Sequence, residues 1–187
     1  LEPEIAEMCR NGTLSEMKDK KETAQILRDK GWESDVAKKV MRFDSRGNVM
    51  INGTRGVQFV DESTDSLLSG FDEVMSEGGL TKEQVRNCKF TFTHFVPHED
   101  TAHRGLSQIG PASRRACLAA FLSAEPVLLE PMLAIEVRVP TDLIGNVSSV
   151  LQGKRGKVLD MQQKGATSIV IGEVPAVETF DISEKMR

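Results

Sequence analysis

Several things are scarce or missing in this chain of 187 residues, and each absence excludes something. Only three cysteines occur, Cys9, Cys88 and Cys117. Their odd number and wide spacing fit the reduced thiols of a cytoplasmic protein, packed as small hydrophobes, rather than a disulfide framework. No apolar run approaches the roughly 18 residues that span a bilayer. The opening Leu1-Glu-Pro-Glu4 lacks the basic and apolar stretches of a signal peptide, so no membrane partner is expected. No Gly-x-x-x-x-Gly-Lys-Ser/Thr loop is present, so the chain is not expected to hydrolyse a nucleoside triphosphate by itself. There is no nucleophile-elbow motif, no internal repeat, no low-complexity segment and no tyrosine.

What is present is an ordinary globular composition, 39% hydrophobic and 28% charged, long enough for one large or two small domains. The net charge of −4 is uneven: residues 1–80 carry 16 acids and 11 bases, whereas residues 81–115 carry three acids and six bases. An acidic chain with one basic stretch suits a local anionic partner better than general nucleic-acid coating, and no DNA partner is expected. A chance grouping of solvated lysines and arginines accounts for the same charge equally well.

Hydrophobic spacing predicts short helices over residues 1–42. Asp19-Lys-Lys-Glu22 reads as a capping box, Ser34 as the cap of a turn carrying Val36, Val40 and Met41, and Trp32 as a packing anchor. Val49 and Ile51, a turn at Asn52-Gly53, then Val57 and Phe59 read as a hairpin. Leu67, Leu68, Phe71, Val74 and Met75 form one face of a helix over 62–77. Residues 88–96 read as a strand with Cys88, Phe90, Phe92, His94 and Val96 on one side, ended by Pro97. A loop 97–110 then feeds a helix with Pro111 in its first turn and Cys117, Leu118, Phe121 and Leu122 on its apolar face.

The proline-bearing segment 123–131 reads as a strap between domains 1–122 and 132–187. Beyond it come a strand at 133–139, a helix capped by Thr141-Asp142, strands 156–162 and 168–174 turning at Gly165, and a final helix opened by Pro175. The class is α+β. The second domain has the β-α-β-β-α order of a ferredoxin-like split β-α-β unit without its last strand. A sheet lacking a strand leaves an unpaired edge, so a fragment of a longer protein is expected.

All three histidines, His94, His98 and His103, fall in residues 94–103, and three readings of that segment stand side by side. In the first, His94 and His98 with Glu99 or Asp100 bind zinc. Against this, Pro97 interrupts the four-residue spacing, and strand parity makes His94 a half-buried structural residue. In the second, His98 with Asp100 or Glu99 activates Ser107 or Cys117, although nothing in the spacing demands it. In the third, the loop meets RNA. Gly105, Ser107 and Gly110 permit close backbone approach, a helix N-terminus favours an anion, Arg104, Arg114 and Arg115 can pair with phosphate, and histidine and arginine can stack on bases. Arg55-Gly56 is a candidate second loop, with a plain positive-φ turn as the alternative. Lys154-Arg155-Gly156 reads either as an RNA contact or as a basic, glycine-capped helix end.

The motif His98-Glu-Asp-Thr-Ala-His-Arg-Gly-Leu-Ser-Gln-Ile-Gly-Pro111 resembles the tip loop of domain IV in archaeal and eukaryotic translation elongation factor 2. The family pattern there is approximately His-x-Asp-x-x-His-Arg-Gly-x-x-Gln-x-Ile-Pro. Thr54-Arg-Gly-Val-Gln-Phe59, Pro126-Val-Leu-Leu-Glu-Pro131 and Asp160-Met-Gln-Gln-Lys-Gly165 are similar, in order, to further family stretches, so the likeness covers essentially the whole chain. Leu106-Ser107, Gly110, Glu125 and Phe59 depart from the family pattern.

The resemblance implies a ribosomal-protein-S5-like α/β domain IV followed by an incomplete domain V. It implies a tip that enters the decoding site during translocation, with His98, Asp100, Arg104, Gly105, Ser107, Gln108, Arg114 and Arg115 facing ribosomal RNA and the tRNA–mRNA duplex. His103 is the position that the family converts to diphthamide, which would make the diphthamide-synthesis enzymes partners. GTP and magnesium belong to a G domain N-terminal to this region, so this fragment carries no cofactor and is no enzyme alone. The alternatives are an elongation-factor-2-like paralogue acting in ribosome assembly, recycling or another RNA–protein machine, and, more remotely, a zinc-binding domain.

Overall fold

A computed structural model describes residues 1–185. The chain divides into two compact units, 1–126 and 127–187, the division falling inside the segment read as a strap. Both units mix helices with a small three-stranded sheet.

The first unit begins with α1 (Pro3–Arg10), α2 (Lys20–Asp29) and α3 (Ser34–Ala37). Asp19 caps α2 by accepting from the amides of Lys21 and Glu22, while Glu22 pairs with Lys18, so only half of the capping box forms. Ser34 caps nothing and is the first residue of α3. Trp32 packs partly buried against this helical layer, with the Lys89 ammonium 5.0 Å over its ring.

Val40 and Met41 are not helical. They open β1 (Val40–Asp44), which pairs antiparallel with β2 (Asn48–Asn52). The turn is Ser45-Arg46-Gly47, with Gly47 at φ 87, a three-residue connection of the kind that needs a positive-φ last residue. This corrects the hairpin expected at Asn52-Gly53. The Gly53 amide donates to the Phe92 carbonyl at 2.7 Å, continuing a ladder instead of turning, and residues 53–59 form a loop.

After α4 (Val60–Glu77), β3 (Lys89–Phe92) pairs parallel with β2, giving the order β1-β2-β3. The central strand is buried on both faces. Val49 and Ile51 pack with Ile5, Leu14 and Leu27 of the first helical layer, and Met50 packs with Phe71, Val74 and Met75 of α4. Asn48, fully buried, is satisfied throughout: its amide donates to Asp44 at 2.6 Å and the Val85 carbonyl at 2.8 Å, and its carbonyl accepts from the Cys88 amide at 3.0 Å. β3 is shorter than expected and ends before His94, which is exposed, not half-buried.

α5 (Leu106–Ser123) starts five residues earlier than expected. The extended Gly105 places its carbonyl to accept from the amides of Gln108 and Ile109 at 3.1 and 3.0 Å, so the helix nucleates there and Pro111 falls inside it. A proline within a helix removes one backbone donor. α5 lies on α4 at a close crossing, where the buried Ser113 hydroxyl donates to the Leu67 carbonyl at 2.7 Å.

The second unit comprises β4 (Met132–Pro140), α6 (Ile144–Gly153), β5 (Lys157–Lys164), β6 (Thr167–Pro175) and the short α7 (Ile182–Lys185). β6 lies antiparallel between β4 and β5, with Gly165 at φ 66 in the β5–β6 turn. Val147 and Leu151 of α6 cover Ile135, Val137, Val139, Val158 and Val170. The Thr141-Asp142 cap is not made: a single-turn helix occupies 141–143, and the Thr141 hydroxyl bonds that of Ser168 at 3.0 Å. Pro175 ends β6 and opens only another single turn, not a continuous helix.

Lys154-Arg155-Gly156 is tied into this unit. Lys154 is buried and donates to Asp181, a bond that raises the lysine pKa and lowers that of the aspartate. Arg155 forks onto Glu130 at 2.7 and 3.1 Å and reaches Glu178 at 3.1 Å. The positive φ of the motif is at Arg155, while the Gly156 amide donates to Leu151. The bases therefore compensate acids of their own unit. Among the described residues no helix is long and apolar enough to cross a membrane.

Candidate nucleic-acid interface

From the end of β3 the chain runs outward. The rings of Phe92 and Phe95 meet at 5.7 Å, and His94, Val96 and His98 are exposed. The turn that follows is built from its own side chains. His98 Nδ1 accepts the Asp100 amide at 3.0 Å, which leaves Nε2 to carry the proton of the neutral ring. The Asp100 carboxylate accepts the Ala102 amide at 2.9 Å, capping a single-turn helix over Thr101–His103. The His103 and Arg104 amides close it onto the carbonyls of Asp100 and Thr101. The exposed rings of His98 and His103 meet edge to face, centroids 4.7 Å apart.

Arg104 overturns an expectation. Arginine beside glycine in a basic loop reads as an exposed phosphate contact, yet its side chain is only 7% exposed. One terminal nitrogen donates to the carbonyls of His98 and Glu99 at 3.0 and 2.7 Å, and the other donates to Glu62 at 3.0 Å. The guanidinium lies over the Phe59 ring, 4.0 Å from its centroid. A buried guanidinium is retained where its donors are satisfied. Its role here is to hold the turn from beneath rather than to meet a ligand.

The other residues of the segment are arranged as follows. Gly105, Ser107 and Gln108 are exposed at the start of α5, and the Ser107 hydroxyl donates to the Gln108 side chain at 2.8 Å. Arg115 is exposed, whereas Arg114 is half-buried with its Nε 2.6 Å from the Glu73 carboxylate. Arg55 and Gly56, the latter at φ 64, are exposed on the loop after β2. That loop lines an open cleft of about 940 Å³ together with Lys39, Phe59 and Glu62. The two loops are thus neighbours, joined through the partners of Arg104.

The nucleophilic reading finds no support in this geometry. Ser107 is bonded to Gln108, and Cys117 is buried in the core, where burial raises its thiol pKa. Burial likewise pushes Cys9 up to about 11. Among the described residues no group of three or more His, Cys, Asp or Glu side chains is placed to hold a metal ion. Phe59 and Glu62 escaped the sequence reading. They lie more than forty residues before Arg104, and no local pattern ties them to it.

Residues 12–125 match the family model for elongation factor G, domain IV, and residues 127–187 match that for the elongation factor G C-terminus. Both matches are to translation elongation factors, and they follow one another along the chain. The elongation factor 2 of Cenarchaeum symbiosum is 67% identical over the whole chain, which covers 26% of that protein. Those of Sulfurisphaera tokodaii and Desulfurococcus amylolyticus are 42% and 43% identical over 188 aligned residues, again 26% of each. The chain belongs to the elongation factor G domain IV family, followed by an elongation factor G C-terminus, and spans about a quarter of the length of these elongation factor 2 relatives.

Proposed function

We propose that the chain comprises domain IV, the strap and domain V sequence of a cytoplasmic translational GTPase that promotes movement of tRNA and mRNA through the ribosome. On this reading residues 1–122 form an S5-like domain, 123–131 the strap and 132–187 a ferredoxin-like domain. GTP and magnesium act in a G domain of the parent protein. The turn 98–105 enters the decoding site. The observation that carries the reading is the exposed His103 presented on a capped single-turn helix, with Arg104 withdrawn to hold it.

His98, Asp100, Gly105, Ser107 and Gln108 surround His103 on the exposed side and supply the shape and polar groups for RNA, which is read at splayed bases and sugar hydroxyls. Arg115 adds positive charge, Arg114 contributes less because Glu73 neutralises it, and Arg55-Gly56 is a secondary contact. The 67% identity to a protein named elongation factor 2 favours a translocase over a paralogue of assembly or recycling.

On the same reading His103 is the substrate of the diphthamide-synthesis enzymes. Its imidazole is accessible, and a cationic arm placed there would reach phosphate. Protein purified from its native host is expected to carry the modification on the peptide holding residues 98–104, read by mass spectrometry. An unmodified mass in that peptide contradicts this assignment. The translocation reading itself is tested by cross-linking from the tip to the ribosome.

A further inference from the structure

We infer that Phe59 and Glu62 are positioning residues for the tip: with Arg104 they form a clamp that sets the shape of the 98–105 turn, although neither belongs to it. The inference rests on the reading of that turn as the ribosome-facing surface. The Arg104 side chain is buried in a segment whose other residues from 98 to 108 are exposed. Its bonds to two consecutive carbonyls, His98 and Glu99, tie the first half of the turn to the second. The planar fork lets one terminal nitrogen take both carbonyls while the other reaches Glu62.

The partners beneath the guanidinium are placed with some strain. Phe59 stands at φ 61, a conformation that bulky L residues rarely adopt, immediately before α4. Strain of this kind persists where surrounding structure over-determines it and often marks function. Here it accompanies a ring whose centroid lies 4.0 Å from the central carbon of the Arg104 guanidinium. Glu62 supplies the counter-charge from the first turn of α4, where the helix dipole also favours an acid. The ring packs against the guanidinium carbon, and the carboxylate takes one of its terminal nitrogens. His98 and His103 are thereby held edge to face before any ligand arrives, so little ordering remains to be done on binding.

The test uses the full-length protein that carries this chain. Hydrogen exchange of peptides covering residues 98–105 is measured beside the rate of a single translocation step. Phe59→Leu removes the ring but keeps apolar bulk, Glu62→Gln keeps shape but removes charge, and Phe59→Tyr keeps the ring face. Phe59→Leu removes a cation–π contact and Glu62→Gln a partly exposed ion pair, so each is expected to speed exchange in the tip about threefold or more. Exchange in peptides from residues 66–77 should stay unchanged, translocation should slow, and Phe59→Tyr should behave like the parent.

Unchanged tip exchange in both Phe59→Leu and Glu62→Gln overturns the clamp. Faster exchange with an unchanged translocation rate overturns the positioning role. If Phe59→Leu fails to fold, Glu62→Gln decides, because that carboxylate is 62% exposed and lies outside the core. The ribosome reading fails separately, if the unaltered tip does not reach the decoding site.

Discussion

Replacing Phe71 by alanine is expected to destabilise the first unit by about 3–5 kcal/mol, the range for emptying a well-packed aromatic site. Phe71 is fully buried on α4, meets Phe90 of β3 edge to face at 5.6 Å, and packs with Met50, Val74 and Met75. It therefore joins the helix that carries Glu62 to the strand that launches the tip. Denaturant unfolding of the alanine variant should show a lower midpoint with little change in slope. A loss below about 1 kcal/mol would mean that this cluster is not the core of the unit.

Gly70→Ala should be nearly as damaging, with a sign opposite to helix propensity. In an open helix the change gains up to about 1 kcal/mol. At this crossing the added carbon would lie 2.5 Å from the Arg114 amide nitrogen and the Gly110 carbonyl oxygen, and 2.8 Å from Ser113 Cβ. Two of these are backbone atoms of α5, which can yield only if the helices separate. Separation would also break the buried Ser113–Leu67 hydrogen bond. The expected loss is about 2–3 kcal/mol, as for overpacked cores, measured by the same unfolding experiment. A neutral or stabilising result would show that α4 and α5 do not cross this closely.

How far the sequence was legible depended on the range of the interactions concerned. α4, α6 and β6 could be read because each buries one face in a period set by its own backbone, and the β5–β6 turn was marked by Gly165. The first hairpin was misplaced because Asn52-Gly53 carries a turn signature while a partner thirty-nine residues on, Phe92, takes the Gly53 amide into a parallel ladder. A side chain at Gly53 would meet Thr91 at 2.8 Å, so that glycine serves close approach rather than a turn. At the tip, the His98–Pro111 motif singled out the segment, but composition pointed Arg104 outward. Its burial is decided by Phe59 and Glu62, and by a positive φ that nothing in the local sequence announces.

On the proposed reading the 98–105 turn faces the decoding site, and cross-linking from that turn tests it. A photo-cross-linker placed at Ala102, an exposed residue in the single-turn helix beside His103, is carried by the full-length protein into a ribosome stalled during translocation. Cross-links to decoding-site ribosomal RNA or to the tRNA–mRNA duplex are expected, lost when the cross-linker is moved to the exposed Met17 in the turn between α1 and α2. Cross-links that map elsewhere on the ribosome, or that are equally strong from both positions, would contradict it.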